Sequence, residues 1–202
     1  MQRSSGVLSL LFVAALFSLG GCSKNQSDQN NQMQQRIAPV PATGSATAAA
    51  GVGWTVPKRW TMEPARQMRI ATYGIPIAEG DTDAGECAVF YFGSGQGGDV
   101  EMNISRWVSQ FENAQKPGRS ERDVKGLHVT IVHIAGTYLA PGGPMMQSQG
   151  KRENYRLLGA IVGAPGGSVF FKLTGPAKTV SGAEQEFSDL IASITKQGQA
   201  SF

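Results

Sequence analysis

The sequence predicts an α+β domain: a mainly antiparallel sheet of about six strands covered by two amphipathic helices. Three observations predict it. Apolar or alternating runs of strand length recur between residues 53 and 174, separated by turns rich in Gly and Pro. Residues 99–111 and 180–194 instead carry apolar side chains at helical spacing. The resulting order is three strands, a helix, three strands and a helix, which lacks the strict alternation of a parallel sheet. The 26 glycines and 10 prolines also argue against an all-helical bundle.

Residues 1–21 have the layout of a secretory signal. Arg3 supplies the positive start, and residues 7–17 form an apolar stretch broken only by Ser9. That stretch is short for a span of a ~30 Å hydrocarbon core, which takes about 20 residues. Leu19-Gly20-Gly21-Cys22 follows and resembles the lipobox of bacterial lipoproteins. The resemblance implies cleavage before Cys22, lipidation of its thiol and a chain held on the extracytoplasmic side of a membrane. In a Gram-negative host, Ser23 after the lipidated Cys implies sorting to the outer membrane, with the domain on its periplasmic side.

Residues 22–52 read as the lipidated Cys and a disordered tether. Residues 23–35 are rich in Gln, Asn and Ser, and residues 38–51 in Ala, Thr, Pro and Gly. Such a tether spans ~30 Å root-mean-square. The folded domain is expected over residues 53–197, with 198–202 as a tail.

Within the domain, residues 53–57 read as a short edge strand ended by Pro57. Met68-Arg69-Ile70-Ala71-Thr72-Tyr73 alternates as a half-buried strand, and residues 87–92 form a continuous apolar strand. Asp99 is an expected N-cap; Val100, Ile104, Trp107, Val108 and Phe111 follow on one helical face. Residues 127–138, 155–162 and 168–174 are the remaining strands, the last two joined by the turn Ala164-Pro165-Gly166-Gly167. Ser181 and Glu184 have capping-box spacing. Val180, Ala183, Phe187, Leu190, Ile191 and Ile194 form the second apolar stripe.

Trp54, Pro57 and Trp60, then Met68-Arg69-Ile70-Ala71, then Phe171-Lys172-Leu173-Thr174-Gly175-Pro176 before Phe187, Leu190 and Ile191, resemble the PsbP-like superfamily in order and in loose motif. The resemblance implies an α/β/α layout and a role as an accessory or assembly factor of a larger complex.

Composition excludes some partners. The net charge of +3 falls to +2 once Arg3 leaves with the signal, 17 basic residues facing 15 acidic ones. The basic residues mostly have acids nearby, so no phosphate-neutralising stripe forms and nucleic acid is not an expected partner. With Cys22 committed to lipid, Cys87 lacks a disulfide partner and reads as a buried, inert thiol.

Gly93-Ser94-Gly95-Gln96-Gly97-Gly98 has the spacing of a dinucleotide loop. Asp99 would set a negative charge where the phosphate sits, and the following strand ends without an acid for a ribose, so no cofactor is expected. The loop reads instead as a strand-to-helix turn, or as a partner-binding patch of Gly95, Gln96, Gly97, Asp99, Asn103 and Arg106. An alternative site is an apolar ligand cleft lined by Trp54, Trp60, Tyr73 and Phe92. His128 and His133 are five apart on one strand and point to opposite faces. Glu79, Asp81, Asp83 and Glu86 lack the order of a calcium loop, so no metal is expected. A second loop, Pro141-Gly142-Gly143-Pro144-Met145-Met146, reads as a hairpin tip or a binding rim. No catalytic constellation is visible. The expected function is that of a membrane-tethered, non-catalytic binding or accessory factor with an envelope protein as partner; the alternatives are a carrier or sensor of an apolar ligand and, further off, an enzyme.

Overall fold

The computed structural model describes residues 47–140 and 150–197. Cys22, the residues before it, the loop bearing Met145 and Met146, and the tail from residue 198 lie outside the described residues.

The architecture is α+β, with a mainly antiparallel sheet between helices. Its strands are β3 (Thr61–Met62), β4 (Ala71–Ile75), β5 (Gly85–Tyr91), β6 (Phe111–Glu112), β7 (Gly118–Val124), β8 (Leu127–Leu139), β9 (Lys151–Ala164) and β10 (Gly167–Pro176). They lie in the order β3-β4-β5-β10-β9-β8-β6, with β7 also paired to β8. The sheet is thus larger than the six strands expected. A small second sheet joins β1 (Ala48–Ala49), β2 (Val52–Gly53) and β11 (Thr195–Lys196), so strand structure begins inside the stretch read as tether.

Strand β7 escaped the sequence pattern because its side chains are almost all polar and exposed; backbone pairing to β8 holds it. Lys125 and Gly126, both at positive φ, make the tight turn between them. Helix α1 (Val100–Val108) starts where expected, with Asp99 Oδ1 accepting from the Met102 amide at 2.7 Å. The capping box does not form. The chain is already helical through α2 (Ala177–Gly182), so Ser181 is not an entry residue, and its hydroxyl accepts from Arg156. Helix α3 (Glu184–Ser193) follows with Ala183 as its cap.

The pleat sorts the core. In β10, Val169, Phe171 and Leu173 face α2 and α3, where Val180, Phe187, Leu190 and Ile191 cover them. Phe170 faces the other way, joining Trp107, Val132, Ile134, Leu157 and Ile161 under α1. Helices of nine and ten residues are marginal alone. Burial of their large apolar side chains, about 1.5–3 kcal/mol each, holds them to the sheet. Among the described residues no helix is long and apolar enough to cross a membrane.

Candidate functional site

Alternation in β10 places Lys172 on the α1 face, between Ala88 of β5 and Gly159 of β9. Neither neighbour has a side chain beyond a methyl, which leaves room for the lysine stem. Its ammonium donates to Gln110 Oε1 at 2.6 Å, just past the end of α1, and to the Tyr138 hydroxyl at 3.4 Å. The ammonium also lies 5.4 Å from the centre of the Tyr138 ring, within reach of a cation–π contact. Burial, and secondarily the Arg69 charge, push Lys172 down to about 8, with Glu86 pulling the other way.

The other cations here are neutralised. Arg69 and Arg66 reach the two carboxylate oxygens of Glu86, each at 2.7 Å, and Arg66 also pairs with Glu63 at 2.5 Å. Arg152 and the Tyr155 hydroxyl both donate to Asp83 Oδ2, at 2.9 and 3.0 Å. An aromatic row connects the groups: Phe111 to Tyr138 at 5.1 Å, and Tyr138 stacked on Tyr155 at 5.8 Å with planes 2° apart. Burial first, and the Glu86 charge second, raise the Tyr138 phenol to about 12, so it keeps its proton at neutral pH. The Thr174 hydroxyl oxygen, on the same face of β10, is buried without a hydrogen-bond partner.

Two open grooves, about 330 and 360 Å³, flank the Glu153-Asn154-Tyr155 stretch of β9. They lie at the strand end beside Tyr155, not over Lys172. A shift in the β8–β9 register occurs here, between Gly136 and Tyr138, and Asn154 takes a left-handed φ of 55°. The surface is polar and shallow.

The six residues of the expected partner patch are brought together, but in different roles. Asn103 is buried, its amide nitrogen donating to the carbonyls of Gly97 and Asp99, both at 2.8 Å. Arg106 donates to the Asn103 amide oxygen at 3.1 Å. Gly97 is pressed against Phe92 and Phe170: a Cβ there would lie 2.9 Å from each ring. Gly95, Gln96, Asp99 and Arg106 remain exposed.

Of the residues expected to line an apolar cleft, Trp54, Trp60 and Tyr73 meet and Phe92 does not join them. Trp54 Nε1 donates to the Tyr73 hydroxyl at 2.9 Å, and Trp54 packs edge-on to Phe171 at 5.1 Å. Trp60 lies 6.3 Å from Tyr73 and donates to Glu186 at 2.8 Å. All three are core residues, while Phe92 packs on the opposite face with Phe90 and Phe170. His128 lies 3.8 Å from Glu121, and His133 lies 3.8 Å from Glu184. Asp81 accepts from the amide and hydroxyl of Thr179. Among the described residues, no cluster of three His, Cys, Asp or Glu could hold a metal ion.

Sequence reasoning did not single out Lys172 as a site. The signal was present: a lysine inside Val169-Phe170-Phe171-Lys172-Leu173, at a position whose register faces a packed layer. Its partners came from positions far away in sequence and left no local trace.

No family model matches the sequence, and no curated protein matches it. Among solved structures the chain is similar to the solution structure of cyanobacterial PsbP (CyanoP) from Synechocystis sp. PCC 6803. That likeness has 11% identity and a TM-score of 0.49, covering 79% of this chain and 99% of the other.

Proposed function

We propose that this protein is a lipid-anchored extracytoplasmic binding domain, tethered through Cys22, that docks another component of the cell envelope as a non-catalytic accessory factor. The signal and lipobox of residues 1–22 support the anchor. The observation that carries the binding reading is the buried Lys172 ammonium, whose hydrogen bonds go to the neutral groups of Gln110 and Tyr138 among the described residues. A buried charge without a direct ion pair is costly in a purely structural role, and a partner that supplies one recovers part of that cost. Gln96 and Asp99 are exposed before the start of α1, and Arg106 is exposed in its last turn. The carrier reading loses its lining, because Trp54, Trp60 and Tyr73 are closed into the core.

Labelling of cells with a radioactive fatty acid tests the anchor: label enters the wild-type protein and not Cys22→Ala. Crosslinking and affinity capture from native envelopes test the binding. A specific partner recovered with the full chain, and lost with Lys172→Met or with Gln96→Ala plus Arg106→Ala, is the expected result. Absence of any specific partner contradicts the reading.

A further inference from the structure

Strand β7 ends the sheet beside β8, and among the described residues no strand pairs with its outer edge. Val124 and Leu127 close a two-residue turn, Lys125-Gly126, in which both residues have positive φ. The closing pair of such a hairpin exchanges both of its backbone hydrogen bonds, and the pattern alternates from there. Val124, Arg122, Ser120 and Gly118 therefore turn their backbone groups toward β8. Arg119, Glu121 and Asp123 turn theirs outward, and all three residues are exposed. Trp107 fixes α1 over Gly159 of β9, two strands further in, so the helix sits ~10 Å inside the edge at the usual strand spacing. An exposed edge of seven residues with free backbone donors and acceptors is a template for another strand.

We infer that β7 is the pairing edge for a second copy of this chain, running antiparallel about a two-fold axis at Ser120. Such an axis stands perpendicular to the joined sheet, so outward-facing residues must meet outward-facing residues. An axis at Arg119, Glu121 or Arg122 sets a charge against its own copy, which destabilises a cross-strand pair. Registers centred nearer either end pair few residues of β7. With the axis at Ser120, Arg119 of each copy faces Glu121 of the other, and both pairs lie where outward backbone groups meet. Gly118 faces Arg122 of the other copy and leaves its long side chain room. Arg119 already reaches Glu121 of its own strand at 2.7 Å, and Glu101 of α1. A second Glu121 extends that exposed network rather than breaking it. Edge charges usually block pairing; here they block each central register but one. The match is made by the strand's own order of signs, which names a second copy rather than a foreign strand.

Strand pairing alone buries less than the ~1,200 Å² of a stable interface, so the contact is weak and disulfide trapping reads it. The full chain is oxidised with copper phenanthroline in native envelopes, wild type setting the baseline for Cys22 and Cys87. Opposed Ser120 residues form a non-hydrogen-bonded pair with Cα atoms about 4.5 Å apart, within disulfide reach. The two Asp123 positions would lie roughly 20 Å apart, far outside it. Ser120→Cys is expected to dimerise at least tenfold faster than Asp123→Cys or Asp189→Cys. In the Ser120→Cys chain, Arg119→Glu should slow trapping at least tenfold, and Arg119→Glu with Glu121→Arg should restore it. Comparable rates at the three positions, no dimer above baseline, or trapping indifferent to Arg119→Glu overturns the pairing. Ser120→Cys adducts to a different protein, identified by mass spectrometry, overturn the second copy in favour of a foreign strand.

Discussion

The indole of Trp107 lies directly on Gly159, so close that a Cβ at that glycine would fall 2.2 Å from Trp107 Cζ3. This contact docks α1 onto the centre of the sheet, and it does so beside Lys172, whose register partner on β9 is the same glycine. Helix, lysine and glycine therefore form one packing unit, and the position of Gln110 past the helix end depends on it.

Gly159→Ala should cost about 3 kcal/mol, the upper part of the usual range for overpacking, because an indole ring cannot bend away. Urea denaturation measures it. Trp107→Leu should relieve part of the cost, giving a coupling of at least ~1 kcal/mol in the double-mutant cycle. Additive effects would place the clash elsewhere.

Lys172→Met should remove a pH dependence. The folded-state value, about 8, lies below the ordinary lysine value of 10.5. The unfolded chain therefore binds more protons between those values, and the lysine's contribution to stability improves as pH rises from 8 to 10.5. Below pH 8 the charged lysine is a net cost of up to about 3 kcal/mol. The variant should thus equal or exceed wild-type stability at pH 7, and that advantage should shrink toward pH 10. Parallel chemical denaturation at pH 7, 8.5 and 10 checks the sign.

Two glycines of the loop before α1 should behave differently. Both have positive φ, but a Cβ at Gly95 meets nothing within 4 Å, whereas one at Gly97 meets Phe92 and Phe170. Gly95→Ala should cost about 1–2 kcal/mol from backbone strain alone. Gly97→Ala should cost more and disturb α1, visible as altered Trp107 fluorescence. Equal costs would contradict the packing.

Cys87 is fully buried in β5, and burial drives its thiol well above the ordinary range. Thiol labelling at pH 8 should therefore proceed only through opening of the domain, accelerating with denaturant in step with unfolding. Rapid labelling of the native protein would show a different environment.

Much of the fold was legible because local chemistry and tertiary packing agree. Asp99 caps α1, Pro165 and Gly166 turn β9 into β10, and the stripe of Phe187, Leu190 and Ile191 is buried. Phe111 lies on the expected apolar face but in strand β6, where it still packs under α1. Strand β7 was illegible since pairing to β8 needs no apolar side chain. The site was legible only in part. Lys172 stands out in its apolar run, but Asp83 meets Arg152 across 69 residues of sequence, and Gln110 meets Lys172 across 62. Long-range polar pairs leave no periodicity to read.

The central claim is that the α1 face is where a partner docks. Site-specific photocrosslinking in native envelopes tests it most directly, with a photoreactive residue placed at Gln96, Arg106 or Gln115 on that side and at Asp189 or Lys125 on the other. The account predicts partner adducts from Gln96, Arg106 or Gln115 and none from Asp189 or Lys125. Adducts confined to Asp189 or Lys125 would contradict it and move the docking surface to the face of α3.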